Sequence, residues 1–231
     1  MNTSLILKAL IIIHATGGTL ALASGPVAML TKKGSTPHRR AGRVYVCSMA
    51  VVFVTAVVVA YVKSLAFLFM IAFFSFYLVL AGYRALKLKK LHLGQQPTWI
   101  DWALQGGAGL FAIALAEWGI YTWLQGDTFG IVAIVFGAVL LWRTSHAALR
   151  FVHPPEDPKY WLYTHIAGMC AGYIATLTAF LVVNNHFLPG VVAWLLPTAV
   201  GTPLIIRAIR RVRNASAVNR PVVSELTSSP S

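Results

Sequence analysis

Runs of mainly apolar residues, broken only by short polar punctuation, follow one another along nearly the whole chain. A hydrocarbon core of about 30 Å needs roughly 20 such residues per helical crossing. The pattern predicts seven crossings, near residues 4–31, 43–62, 64–84, 98–124, 129–150, 160–184 and 187–209. The fold class expected is therefore all-α: a seven-helix transmembrane bundle over residues 1–211, followed by a polar tail, 212–231, whose Ser, Asn and Pro content predicts disorder. "QGDTFG" and "NNHFLPG" read as tight turns between helices. "HPPEDPKY", residues 153–160, cannot be helical through its three prolines, so it ends the fifth helix and lets the sixth start afresh. No stretch long enough for a soluble domain is left over.

Composition agrees, with 58% apolar and 11% charged residues and a mean hydropathy of +0.71. The net charge of +13 would suit nucleic acid, but its distribution does not. If seven helices alternate in direction, every basic residue except Lys8, Lys63 and Arg143 falls at one face of the membrane, in the loops around 32–43, 84–90 and 150–159 and in the C-terminal segment. This is the positive-inside pattern, and it predicts an outside N-terminus and a cytoplasmic C-terminus. The lipid bilayer is the expected partner, with anionic lipids attracted to the basic loops at about 1 kcal/mol per cation.

Ala21-Leu22-Ala23 before Ser24 resembles a signal-peptide cleavage site. Met29 and Leu30 extend the apolar run past it and Lys32 and Lys33 then stop it, so helix one is expected to be retained. Cys47 and Cys170 fall within helices at no metal-binding spacing and read as inert thiols.

His14, Gly17, Gly18, Ala21 and Gly25 share one face of helix one, and His165, Gly168, Gly172 and Thr176 repeat the offsets on helix six. Small residues let another backbone approach closely. They do not explain the histidines, because ionisable groups in a bilayer are costly and face partners, water or a functional site. A neutral imidazole beside a small-residue groove also suits a metal or a porphyrin edge. Helical rise puts His146 about 6 Å and His165 about 8 Å from the basic face, with His14 nearer mid-membrane. The level match makes His146 and His165 candidate axial ligands of a b-type haem, with His14 as a third member or a separate site.

Arg143 stands three residues before His146 and is a candidate for haem propionates. Asp101 starts helix four, where it complements the helix dipole or pairs with Arg143 or a loop arginine. Glu117 lies about 10 Å from the outer end of the same helix and is a candidate proton carrier or partner of His14. His38, in "GSTPHRRAGR", reads as a solvated loop residue, like His92, His153 and His186. The chain has no Gly-x-Ser-x-Gly elbow, His-Glu-x-x-His zinc helix, Walker loop or CxxC pair, so no enzymatic class and no metal-ligand set is assigned. Pro197 and Pro203 are the persuasive helix breaks of a transporter-like pattern.

The helix-one histidine, "KKGSTPHRRAGRVYV", "YLVLAGYRALK" and "WLYTHIAGMCAGYIATLTAFLVVNN" followed by "LPTAVGTPLI" together resemble a family of bacterial multi-pass membrane proteins classed as a domain of unknown function. The resemblance implies an inner-membrane protein with His14, His38 and His165 in family-like segments, and supplies no activity. Three readings stay open: a redox-linked protein binding haem b or a metal through intramembrane histidines, a transporter using Glu117 and His14 as proton-linked groups, or a membrane assembly partner without catalysis.

Overall fold

The computed structural model describes residues 3–218. Seven helices occupy almost all of it: α1 (Thr3–Leu30), α2 (Thr36–Val62), α3 (Ala66–Arg84), α4 (Trp99–Leu124), α5 (Gly130–Val152), α6 (Tyr160–Val183) and α7 (Gly190–Val218). Two single 3₁₀ turns, Ala85–Lys87 and Leu91–Leu93, link α3 to α4. All seven helices are long and apolar enough to cross a membrane, so the chain is a multi-pass membrane protein. One end of the bundle gathers the α1–α2, α3–α4 and α5–α6 connections and the α7 C-terminus, and it carries most of the cations. It is called the basic end below.

Two boundaries differ from the hydropathy pattern. The "TPHRR" segment is the first turn of α2, not a loop: Ser35 caps it by accepting from the His38 backbone N–H at 3.4 Å, and Pro37 occupies the first turn, where its missing N–H costs nothing. His38 is accordingly half-buried on a helix rather than solvated. At the other extreme α7 runs unbroken through Pro197 and Pro203 and past Arg211 to Val218. The rest of the tail expected to be disordered, 219–231, lies outside the described residues.

α3 is the central helix, packed against α2, α4, α5 and α6. Its crossing with α6 is backbone on backbone, because a Cβ placed on Gly168 would stand 2.5 Å from the Gly82 Cα. The α6 glycine stripe is thus a packing seam against α3. α4 and α5 meet in the same way, where a Cβ on Gly137 would lie 2.8 Å from the Ala116 nitrogen. At the end remote from the cations, Phe67 stacks on Trp118 at 5.5 Å and meets Phe129 and Trp194 edge-on at 4.9 and 5.0 Å. This aromatic cluster ties α3, α4, α5 and α7 together and closes that end of the core.

Candidate functional site

The polar side chains inside the bundle fall into three groups. The first is an ion pair at the basic end. Arg84, at the last turn of α3, donates through Nε to Asp101 Oδ1 (2.9 Å) and through Nη2 to Asp101 Oδ2 (2.8 Å). The Thr98 backbone N–H and Oγ1 both donate to Oδ2, at 2.8 and 2.7 Å. Asp101 is 1% exposed and meets donors on both oxygens. It therefore serves the start of α4 and fastens it to α3. Its partner is Arg84, not Arg143.

The second group comprises His38 and His165. His165 Nδ1 lies 2.9 Å from the Gly82 carbonyl and His38 Nδ1 lies 2.8 Å from the Ala28 carbonyl. A carbonyl only accepts, so both imidazoles carry the proton on Nδ1. Their rings meet edge to face with centroids 6.4 Å apart. His165 is thereby placed at the α2–α3–α6 junction, beside His38 in the first turn of α2. His146 stands elsewhere, next to Trp142 and in the wall of a small pocket that His165 does not line. The two level-matched histidines share depth and do not share a cavity.

The third group surrounds Arg143. This residue is common to the walls of two cavities. On the basic side is the small pocket, about 50 Å³, lined by Tyr77, Gln105, His146, Tyr160 and Thr164 among others. Tyr77 donates to Gln105 Oε1 at 2.8 Å, which holds both buried groups in place. On the other side lies a cavity of about 590 Å³ bordered by α1, α2, α3, α5, α6 and α7. Its wall is almost wholly apolar, with Phe74, Phe136, Ala171, Ile174 and Trp194 representative. Two of its hydroxyls are spent locally: Ser75 donates to Ile71 O and Thr178 to Ile174 O. Arg143 Nε is buried with no hydrogen-bond partner among the described residues.

His14 also lines the large cavity. Its Nδ1 is 3.1 Å from Thr55 Oγ1, and that hydroxyl lies 2.7 Å from Val51 O and 3.0 Å from Val52 O. Thr55 has one proton, which it gives to a carbonyl, so His14 donates from Nδ1 and its Nε2 keeps a lone pair. That is the orientation a carbonyl or hydroxyl imposes on a ligating histidine. Glu117 is exposed on α4, which packs on α5 and α3, while His14 is on α1, which packs on α2 and α6. The structure does not bring the two together. No three His, Cys, Asp or Glu side chains among the described residues converge on a point where a metal ion would sit.

Arg143 and His14 stand out in the sequence, whereas most of the groups that surround them do not. Gln105 was legible as a lone amide within an apolar run. Tyr77, Tyr160 and the cavity wall carry no signal in a sequence where aromatic and aliphatic residues are everywhere. No protein-family model, no curated protein and no solved structure matches the chain.

Proposed function

We propose that this protein binds an amphipathic lipophile whose tail fills the large cavity and whose compact anionic head meets Arg143. The observation that carries the reading is the position of Arg143, a cation with an unpartnered buried Nε between a large apolar chamber and a small pocket that holds Gln105, His146 and Tyr160. A buried donor left unmatched costs about 1–3 kcal/mol, and more when it is charged, and a carboxylate or phosphate fork removes that cost. A chamber of about 590 Å³ lies in the usual range for small-molecule sites. The basic end faces the cytoplasm of a bacterial inner membrane in this reading, which puts the head about 13 Å inside the cytoplasmic boundary. Native mass spectrometry of protein released from nanodiscs tests it. Wild-type chain retains an acidic lipophile and R143Q does not; equal retention by R143Q overturns the proposal.

A second reading keeps the same chamber and fills it with a b-type haem. The fixed Nδ1–H of His14 favours it: His14 would hold the iron through Nε2, and Arg143 would supply a cation for the haem carboxylates. Bound there, haem would supply one-electron chemistry. A Soret band and a sharp reduced α-band that vanish in His14→Ala support this reading, and a colourless folded protein from haem-replete cells removes it.

A further inference from the structure

Lys8 and Glu117 are opposite charges set within helices in the half of the bundle away from the basic end, and neither has a partner among the described residues. Lys8 is exposed on α1, five residues after Thr3, and Glu117 is exposed on α4, seven residues before Leu124. Neither forms a hydrogen bond or ion pair among the described residues, where the ion pair present joins Arg84 to Asp101. α1 begins at the end of the bundle where α4 finishes, so both charges sit in the same leaflet. Helical rise places Lys8 about 7 Å and Glu117 about 10 Å from that boundary. The remaining difference is well within the reach of a lysine side chain.

Within one copy the two cannot meet, because α1 packs on α2 and α6 whereas α4 packs on α5 and α3. They occupy separate flanks. An unpaired carboxylate at this depth on a lipid-facing surface is costly, and glutamate is too short to snorkel out as lysine does. We infer that copies of this chain associate side by side, with Lys8 on α1 of one copy paired to Glu117 on α4 of the next.

The faces that carry the charges suit such an approach. Inward from Lys8, α1 exposes Ala15 and Thr19; inward from Glu117, α4 exposes Ala114 and Gly106. A Cβ on Gly106 would meet nothing within 4 Å, so that surface is open to a neighbouring helix. Identically oriented copies bring α1 and α4 together antiparallel. The contact uses different surfaces on its two sides, so it is heterologous and generates a ring or an open row rather than a two-fold dimer.

Ile12 and Ile113 are 66% and 44% exposed and lie four residues inward from Lys8 and Glu117 on the same faces, which makes them reporters that leave both charges in place. In a background with Cys47→Ser and Cys170→Ser, oxidation of I12C/I113C in native membranes is expected to give a ladder of cross-linked copies. Each single cysteine variant gives no ladder, and co-expressed I12C and I113C chains give mixed dimers. Adding K8E or E117K to I12C/I113C lowers cross-linking about tenfold, the scale of an interhelical polar contact in lipid, and K8E with E117K together restores it. Absence of the ladder while both thiols still react with maleimide overturns the proposal. A ladder indifferent to K8E and E117K overturns the charge pairing on which it rests.

Discussion

Replacing Asp101 by Asn tests how α4 is fastened to α3. The carboxylate is 1% exposed and every partner it has is a donor: Arg84 Nε and Nη2, the Thr98 N–H and the Thr98 hydroxyl. An amide of the same shape must turn its NH₂ towards one of those donors and withdraws the negative charge from a guanidinium. Breaking a fully buried ion pair costs about 3–5 kcal/mol. The Arg84 side chain is 20% exposed and regains some water, so the low end, about 3 kcal/mol, is expected. For a chain of this size that is about 6–12 °C in apparent Tm. The assay is loss of the helical circular dichroism signal in a mild detergent at a fixed scan rate. Arg84→Lys keeps the charge and loses the fork, and is expected to cost about 1 kcal/mol. A shift of less than about 2 °C for D101N would refute the claim that this pair anchors the helix.

Other substitutions probe packing and topology. Gly168→Val drives a side chain into the Gly82 backbone and is expected to destabilise by about 3 kcal/mol or to prevent assembly of α3 with α6, read as loss of monodisperse protein. Gly18→Ala, at a position where a Cβ meets nothing within 4 Å, leaves Tm unchanged or raises stability by up to about 1 kcal/mol. Tyr77→Phe removes the bond to Gln105 and strands a buried amide oxygen, for a loss of about 1–2 kcal/mol in the same melt. Reporter fusions after Leu124 and Asn185 are expected to read periplasmic and those after Lys90 and Pro155 cytoplasmic; a cytoplasmic reading at Asn185 sinks the proposed orientation.

The seven helices are written in the sequence because a bilayer demands a length and an apolar content that nothing else in the chain mimics. The start of α2 escaped that signal, since "TPHRR" is polar enough to look like loop, although Ser35 and Pro37 are ordinary marks of a helix start. Proline in α7 suggested breaks, yet the helix runs on through both. The site was legible only in part, for a geometric reason. Spacing along a helix gives depth, and depth made partners of His146 and His165. It does not give the direction each helix faces or the order of helices around the bundle, and those set His165 against Gly82 and His38 instead. The chamber beside Arg143 arises from six helices failing to fill the space between them, a property of no single segment.

The most direct measurement is equilibrium binding of a fluorescent fatty acid, cis-parinaric acid, followed by energy transfer from Trp142 and Trp194, both of which line the chamber. Titrations compare wild type, R143Q and the chamber-filling variant Ala171→Trp, with the matching fatty alcohol as competitor. Saturable binding is expected in wild type, weakened about tenfold to a hundredfold in R143Q, as loss of a charge-assisted contact requires. Ala171→Trp is expected to abolish binding, and the alcohol to compete poorly against wild type but as well as the acid against R143Q. Equal affinity of wild type and R143Q for the acid would contradict the assignment of Arg143 as the contact for an anionic head.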